Sequence, residues 1–190
     1  MPKQPNELKV LAAITRYLVI TADPPWRFRD SLPGKTRGAS KQYKCMSVEN
    51  IMRFPLPPIA DDAMLLLWRV SSMVEEAYRV VRAWGFFPKS EIVWEKLTKN
   101  GLPYFGMGRY VRASHETCIV ATRGRFKVQS KSVRSRFSAR VPVDKNGKYI
   151  HSAKPHEFFA IVERLAEGPY CEMFARARRL GWTTLGDKVP

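Results

Sequence analysis

An α/β domain built on a mostly parallel sheet, with helices packed on both faces, is the fold class predicted by three observations. Short unbroken apolar runs of strand length recur along the chain, amphipathic stretches lie between them, and Gly or Pro marks the joints. Residues 17–22 (YLVITA) form the first run, β-branched and uninterrupted, and stop abruptly at Asp23-Pro24-Pro25. Residues 63–70 (AMLLLWRV) form a second buried strand. Ser71 or Ser72 then caps a helix running to about Trp84, whose Met73, Ala77, Val80, Val81 and Trp84 share one face before Gly85 ends it. Residues 91–94 and 117–122 (TCIVAT) give a third and a fourth strand. Pro155 stands where a helix's first turn begins, and Phe158, Ile161, Val162 and Leu165 supply its apolar stripe up to Gly168-Pro169. Residues 170–175 (YCEMFA) are the last strand. No repeat or second domain is visible, so residues 1–190 read as one domain. In such sheets ligands sit at the carboxyl ends of the strands, which aims the residues after Ala22 at the functional edge.

Charge is the unusual feature of the composition. Thirty-three Lys and Arg against seventeen Asp and Glu leave a formal charge of +16. That excess opposes compaction, and a polyanion is the natural partner, although solubility or an anionic membrane would also explain it. Two long connections concentrate the charge. Residues 27–44 hold six basic residues and one acidic, and residues 117–143 hold seven basic and none acidic, with Phe126 and Phe137 interleaved. Basic recognition loops are therefore expected at 27–44, 97–114 and 123–152. Cys45, Cys118 and Cys171 are odd in number and widely separated, which argues against a disulfide framework and a structural zinc site; no metal is expected. The first residues lack the apolar stretch of a secretion signal, and no run approaches membrane-spanning length. A cytoplasmic protein with no membrane partner is the expectation.

Asp23-Pro24-Pro25-Trp26, directly after a buried strand, is the strongest chemical signal. An exocyclic amine on a purine is a poor nucleophile because its lone pair is delocalised into the ring. A carboxylate and a backbone carbonyl that accept its two N–H bonds localise that pair and stabilise the developing positive charge. Asp23 supplies the first acceptor and the Pro24 carbonyl the second. Consecutive prolines stiffen the turn and remove competing N–H groups. Trp26 is expected to offer a flat surface to an unstacked base, worth about 1–3 kcal/mol. The bland alternative is a proline-rich turn with a packed tryptophan.

Four segments in order then carry a resemblance: residues 20–28 (ITADPPWRF), 41–51 (KQYKCMSVENI), 113–125 (ASHETCIVATRGR) and 153–189 (AKPHEFFAIVERLAEGPYCEMFARARRLGWTTLGDKV). Together with the intervening strands, the chain from Tyr17 to Val189 resembles the adenine methyltransferase family named after the seventy-kilodalton subunit of eukaryotic mRNA adenosine methyltransferase. The resemblance implies a Rossmann-like methyltransferase fold in permuted order, with the catalytic strand near the N-terminus and much of the cofactor pocket near the C-terminus. It also implies S-adenosylmethionine as cofactor, despite the lack of a glycine-rich nucleotide loop.

Carried over by position, the resemblance assigns the cofactor pocket to Asp23, Lys154, Glu172, Phe174, Arg176, Asp187 and Lys188. Lys154 precedes a helix N-terminus, where its ammonium and the helix amides meet a carboxylate or phosphate. Glu172, Phe174 and Arg176 alternate along the last strand, with Phe174 on the cofactor's adenine and Arg176 on its polar part. Asp187 and Lys188 stand where the eukaryotic branch has asparagine-glutamine; Asp187 still suits a ribose hydroxyl. Glu116 matches a glutamate on the acceptor side of the pocket, and His115 beside it reads as a structural or base-contacting residue. Tyr43 either orders a loop over the site or stacks on the base. Arg27, Arg109, Arg112, Arg123, Arg125 and Lys127 are the candidate nucleic-acid contacts. DNA is the favoured polymer, since compact members with this pattern look bacterial or phage-like. The alternatives are an RNA adenosine methyltransferase and a catalytically silent nucleic-acid-binding subunit; intact Asp-Pro-Pro-Trp, Lys154 and Glu172 favour activity. With no separate recognition domain, modest sequence specificity or reliance on a partner in a homodimer is expected.

Overall fold

The computed structural model of the chain describes residues 15–27, 45–108, 110–150 and 153–186. Its elements are β1 (Tyr17–Ala22), α1 (Val48–Met52), β2 (Ile59–Arg69), α2 (Val74–Ala83), β3 (Phe87–Leu97), β4 (His115–Arg123), β5 (Arg136–Arg140), α3 (His156–Leu165), β6 (Tyr170–Met173) and β7 (Trp182–Leu185). The strands form one sheet in the order β5-β3-β4-β2-β1-β6-β7. β1 pairs in parallel with β2 and β6, β6 with β7, and β3 with β5, while β4 runs antiparallel to both its neighbours. The sheet is mostly parallel, as the apolar runs predict.

Each face of the sheet is a core. On one, Ile20, Ala22, Leu65 and Leu67 pack against α1 and α2 through Ile51, Ala77, Val80 and Val81. On the other, Val19, Met64, Leu66 and Trp68 pack against α3 through Phe158, Phe159 and Val162. Burial on both faces is why β1 and β2 read as continuous apolar runs and not as alternating ones. Each buried Val, Leu, Ile, Met or Phe among them contributes about 1.5–3 kcal/mol by leaving water.

Two consequences of topology position the site. The chain leaves β1 toward β2 on one side and returns to β6 on the other, so β1 and β6 flank the crevice where ligands bind in doubly wound sheets. Because β4 is reversed, its first residues, not its last, reach that carboxyl edge.

The structure also departs from expectation in several elements. Neither Ser71 nor Ser72 caps α2; its N-cap is Met73, without a side-chain bond. The helix begins at Pro155 as N-cap, one residue outside the first turn. β5 (RFSAR) and β7 (WTTL) lack the buried run that identifies a strand, being charged at alternate positions or very short. The last long strand closes at Met173, because Phe174 has a left-handed φ of 59°. Among the described residues, no helix is long and apolar enough to cross a membrane, and no group of His, Cys, Asp or Glu is placed to hold a metal.

Candidate active site

β1 delivers Asp23 to the carboxyl edge, on the same face as Val19 and Thr21. The turn after it is tightly bonded: the Trp26 N–H donates to the Pro24 carbonyl (2.8 Å), and the Met46 N–H donates to the Pro25 carbonyl (2.7 Å). The prolines therefore do not leave the turn free of competing N–H groups. Trp26 donates to the carbonyl predicted as an acceptor, and by doing so fixes where it points. A carbonyl oxygen has two lone pairs, so Pro24 retains one.

Trp26 itself corrects the expectation of a stacking surface. It is 4% exposed, lies in the core beneath α1 and α2, and donates its indole N–H to the Trp68 carbonyl at 3.0 Å. A large ring at this turn gains more from the core than from the solvent, and it serves to pin the turn.

The charged groups form a chain. The Lys154 ammonium donates to Asp23 Oδ2 at 2.7 Å and pairs with Glu116 Oε2 at 3.2 Å, and Glu116 Oε1 pairs with Lys96 at 2.5 Å. Two carboxylates and two ammoniums thus alternate, which lets them be enclosed together. The Lys154 side chain is only 8% exposed and its ammonium lies 5.1 Å from the Trp68 ring centre; that of Lys96 lies 5.2 Å from the Trp94 ring centre. All these groups extend the face on which α3 packs: Asp23 follows Val19 and Thr21, Lys96 follows Trp94, and Glu116 precedes Cys118. The site is the polar end of that core layer.

Burial pushes the Asp23 pKa up; Lys154 pulls against it and the Glu116 carboxylate adds to the rise. Burial acts in the same sense on Glu116, but Lys154 and Lys96 overcome it and hold its pKa at about 2. Burial opposes the Lys154 charge, and Asp23 and Glu116 outweigh it, so its pKa is raised.

At the end of β6, Glu172 stands opposite Thr21. Its Oε2 lies 3.7 Å from the Arg179 Nε, too far for a hydrogen bond, and both atoms are buried without any hydrogen-bond partner. The Arg179 guanidinium lies over the Phe159 ring, its Cζ 3.2 Å from the ring centre. Burial raises the Glu172 pKa against the pull of Arg179. Arg176 is near enough to Asp23 to lower its pKa. Phe174 does not continue the alternation: its left-handed backbone turns the chain, and its half-buried ring packs on Phe54 at 4.7 Å.

Asp23, Lys154, Glu116, Glu172 and Arg176, far apart in sequence, converge here. Pro24 is buried and Pro25 half-buried in the turn beside them. Arg27 is exposed and donates to the Cys45 carbonyl at 3.4 Å. Arg112 lies in the β3–β4 connection at the same edge, over the Phe105 ring. Arg123, Arg125 and Lys127 are not brought to the site. Arg123 ends β4 and Arg125 and Lys127 come after it, roughly 25 Å away along a nine-residue strand. There Arg123 pairs with Asp61 at 4.0 Å and the Arg125 backbone N–H donates to Asp62 at 2.6 Å. His115 starts β4 exposed, on the side opposite Glu116. Tyr43, Arg109, His151, Asp187 and Lys188 lie outside the described residues. Lys96 was not foreseen. Lys96 sits two residues past Trp94, a spacing that puts it on the core face, but only the β3–β4 register shows what it meets.

A sheet wound both ways from β1, with a carboxylate and a prolyl carbonyl at the crevice, defines a Rossmann-like methyltransferase fold. Comparison with known proteins agrees: residues 17–188 match the MT-A70 family model, and the chain belongs to that family. It is similar to the human N(6)-adenosine-methyltransferase catalytic subunit METTL3, 24% identical over 188 residues that make up 94% of this chain and 29% of the relative. The type II methyltransferase M.MunI of Mycoplasma sp is 25% identical over 196 residues, covering 92% of this chain and 78% of the relative. The mouse N(6)-adenine-specific methyltransferase METTL4 is 27% identical over 185 residues, 90% of this chain and 37% of the relative. The chain spans less than a third of the length of METTL3 and of its Drosophila melanogaster counterpart.

Proposed function

We propose that this chain is an S-adenosylmethionine-dependent methyltransferase acting on the exocyclic amino group of adenine in DNA. The observation that carries the reading is the Asp23 carboxylate at the end of β1, beside a Pro24 carbonyl held in place by the Trp26 N–H. These two acceptors suit the two N–H bonds of an amine, and drawing on both localises the nitrogen lone pair. Lys154 holds Asp23 through Oδ2, and a carboxylate has acceptor capacity left for a substrate. The alkylated nitrogen is acidic and sheds its proton to water, so no separate base is needed.

The residues at the end of β6 fit the cofactor. Two buried and unsatisfied polar atoms, one on a carboxylate and one on a guanidinium, are what a ligand with hydroxyls, an ammonium and a carboxylate would satisfy. Glu172, Arg176 and Arg179 would hold it. When bound, it supplies an electrophilic methyl group on a sulfonium.

DNA is supported by the likeness to a type II methyltransferase over most of that protein's length. The second reading, RNA, is supported by relatives named as adenosine methyltransferases. Methyl transfer from labelled S-adenosylmethionine to matched DNA and RNA separates them. Labelling of DNA is expected, falling at least about 100-fold in Asp23→Ala. Labelling of RNA alone would replace the polymer, and labelling of neither would defeat the proposal.

A further inference from the structure

The connection between β3 and β4 carries apolar side chains that neither core uses. Leu102, Phe105, Met107, Tyr110 and Val111 are between 63% and 90% exposed. They do not hang on a slack loop. At the base, Leu97 bridges to Pro103, the Tyr104 N–H donates to the Lys96 carbonyl (3.1 Å), and the Lys96 N–H donates to the Ser114 carbonyl (2.9 Å). Further out the Gly106 N–H donates to the Ala113 carbonyl at 3.1 Å. A Cβ on Gly106 would overlap the Ala113 oxygen, and one on Gly108 the Val111 oxygen. The ribbon is folded back on itself too closely for any other residue at those two positions. The apolar tip is therefore a built projection.

Its place and charge say what it meets. Both arms rise from the carboxyl edge, and Lys96 at the base is the last member of the charge chain that ends at Asp23. The tip is thus held at a set distance from the catalytic carboxylate. Residues 98–114 contain no acidic side chain. The Arg112 guanidinium covers Phe105 at 5.3 Å, and that of Arg140, at the end of β5, lies beside Gly101. A second copy of this chain would bring another +16 charge against this surface, whereas a polyanion complements it.

We infer that this ribbon is a wedge for double-stranded nucleic acid: Phe105 and its apolar neighbours enter the base stack beside the target, while Arg112 and Arg140 take flanking phosphates. The inference rests on the methyltransferase reading. Adenine inside a duplex must leave the stack before its amino group can reach Asp23, and an apolar side chain filling the gap offsets the lost stacking.

The test compares methyl transfer to a DNA duplex and to the same strand unpaired, for the full-length wild type and Phe105→Ala/Tyr110→Ala. These side chains are exposed and belong to neither core. The variant is expected to lose at least about fivefold in kcat/KM on the duplex and to stay within about twofold on the unpaired strand. Equal losses on both, no loss on either, or a wild type confined to single strands would overturn the wedge while leaving the methyltransferase reading intact. No labelling of any strand by the wild type would defeat both. Sedimentation adds one further outcome: a wild-type dimer that dissociates in the variant would assign the tip to a second copy and overturn the proposal.

Discussion

β4 carries a charged side chain near each end, and the two teach different things. Glu116 and Arg123 have similar exposure, 26% and 31%. What separates them is the partner. Glu116 lies between Lys96 and Lys154, both largely buried, and its pKa falls to about 2. Arg123 faces Asp61, which is 87% exposed and 4.0 Å away. Water screens the second pair far more than the first, so similar residues on one strand make a largely enclosed charge cluster at one end and ordinary surface at the other.

The comparison breaks most visibly at Lys154. Lys154→Met leaves the Asp23 and Glu116 carboxylates facing each other without the cation between them. A loss of about 100-fold in kcat/KM for methyl transfer is expected. The pH profile provides the sharper check. On the proposed mechanism Asp23 acts as a carboxylate, so activity is expected to fall as pH drops through its raised pKa; without Lys154 that pKa rises further, and the acid limb moves to higher pH. An unmoved limb would mean that Lys154 does not govern Asp23.

Glu116→Gln tests the same chain by stability. It leaves two ammoniums with one carboxylate, at a cost on the order of 2 kcal/mol, measured by urea unfolding at neutral pH. Because the folded pKa lies below the ordinary 4.5, the contribution of ionised Glu116 is complete above that value and is lost as pH falls toward 2. The gap between wild type and variant should close over that window. Arg123→Ala is the smallest expected effect: less than about 0.5 kcal/mol in the same experiment, with methyl transfer at fixed salt unchanged. A larger loss would show that the amino edge of the sheet takes part in what the carboxyl edge does.

Much of the fold was legible because burial on both faces writes itself into sequence as unbroken apolar runs, as in LVITA and AMLLLW. β5 was not, since only Phe137 and Ala139 point inward between exposed Arg136, Ser138 and Arg140. Asp23, Lys154 and Glu172 were legible as motif residues, but Trp26 was misjudged: nothing local says whether a ring after two prolines turns to the core or the solvent. The charge chain was hidden for a different reason. Lys96, Glu116 and Lys154 meet only because β4 runs backwards between β2 and β3, and strand direction leaves no mark on composition. The same reversal placed Arg123 and Arg125 at the edge opposite Asp23.

The reversed strand also sets how the functional edge is free to change. A parallel strand is reached by crossing the whole sheet, usually through a helix whose length and face are constrained. The passage from β3 to β4 begins and ends on one edge, so residues can be added or removed there singly, and doubling its length costs only about 0.6 kcal/mol in closure entropy. The strands that carry Asp23 and Glu172 are not strung on it. Residues 98–114 can thus change by insertion and exchange without disturbing the strands that carry Asp23 and Glu172.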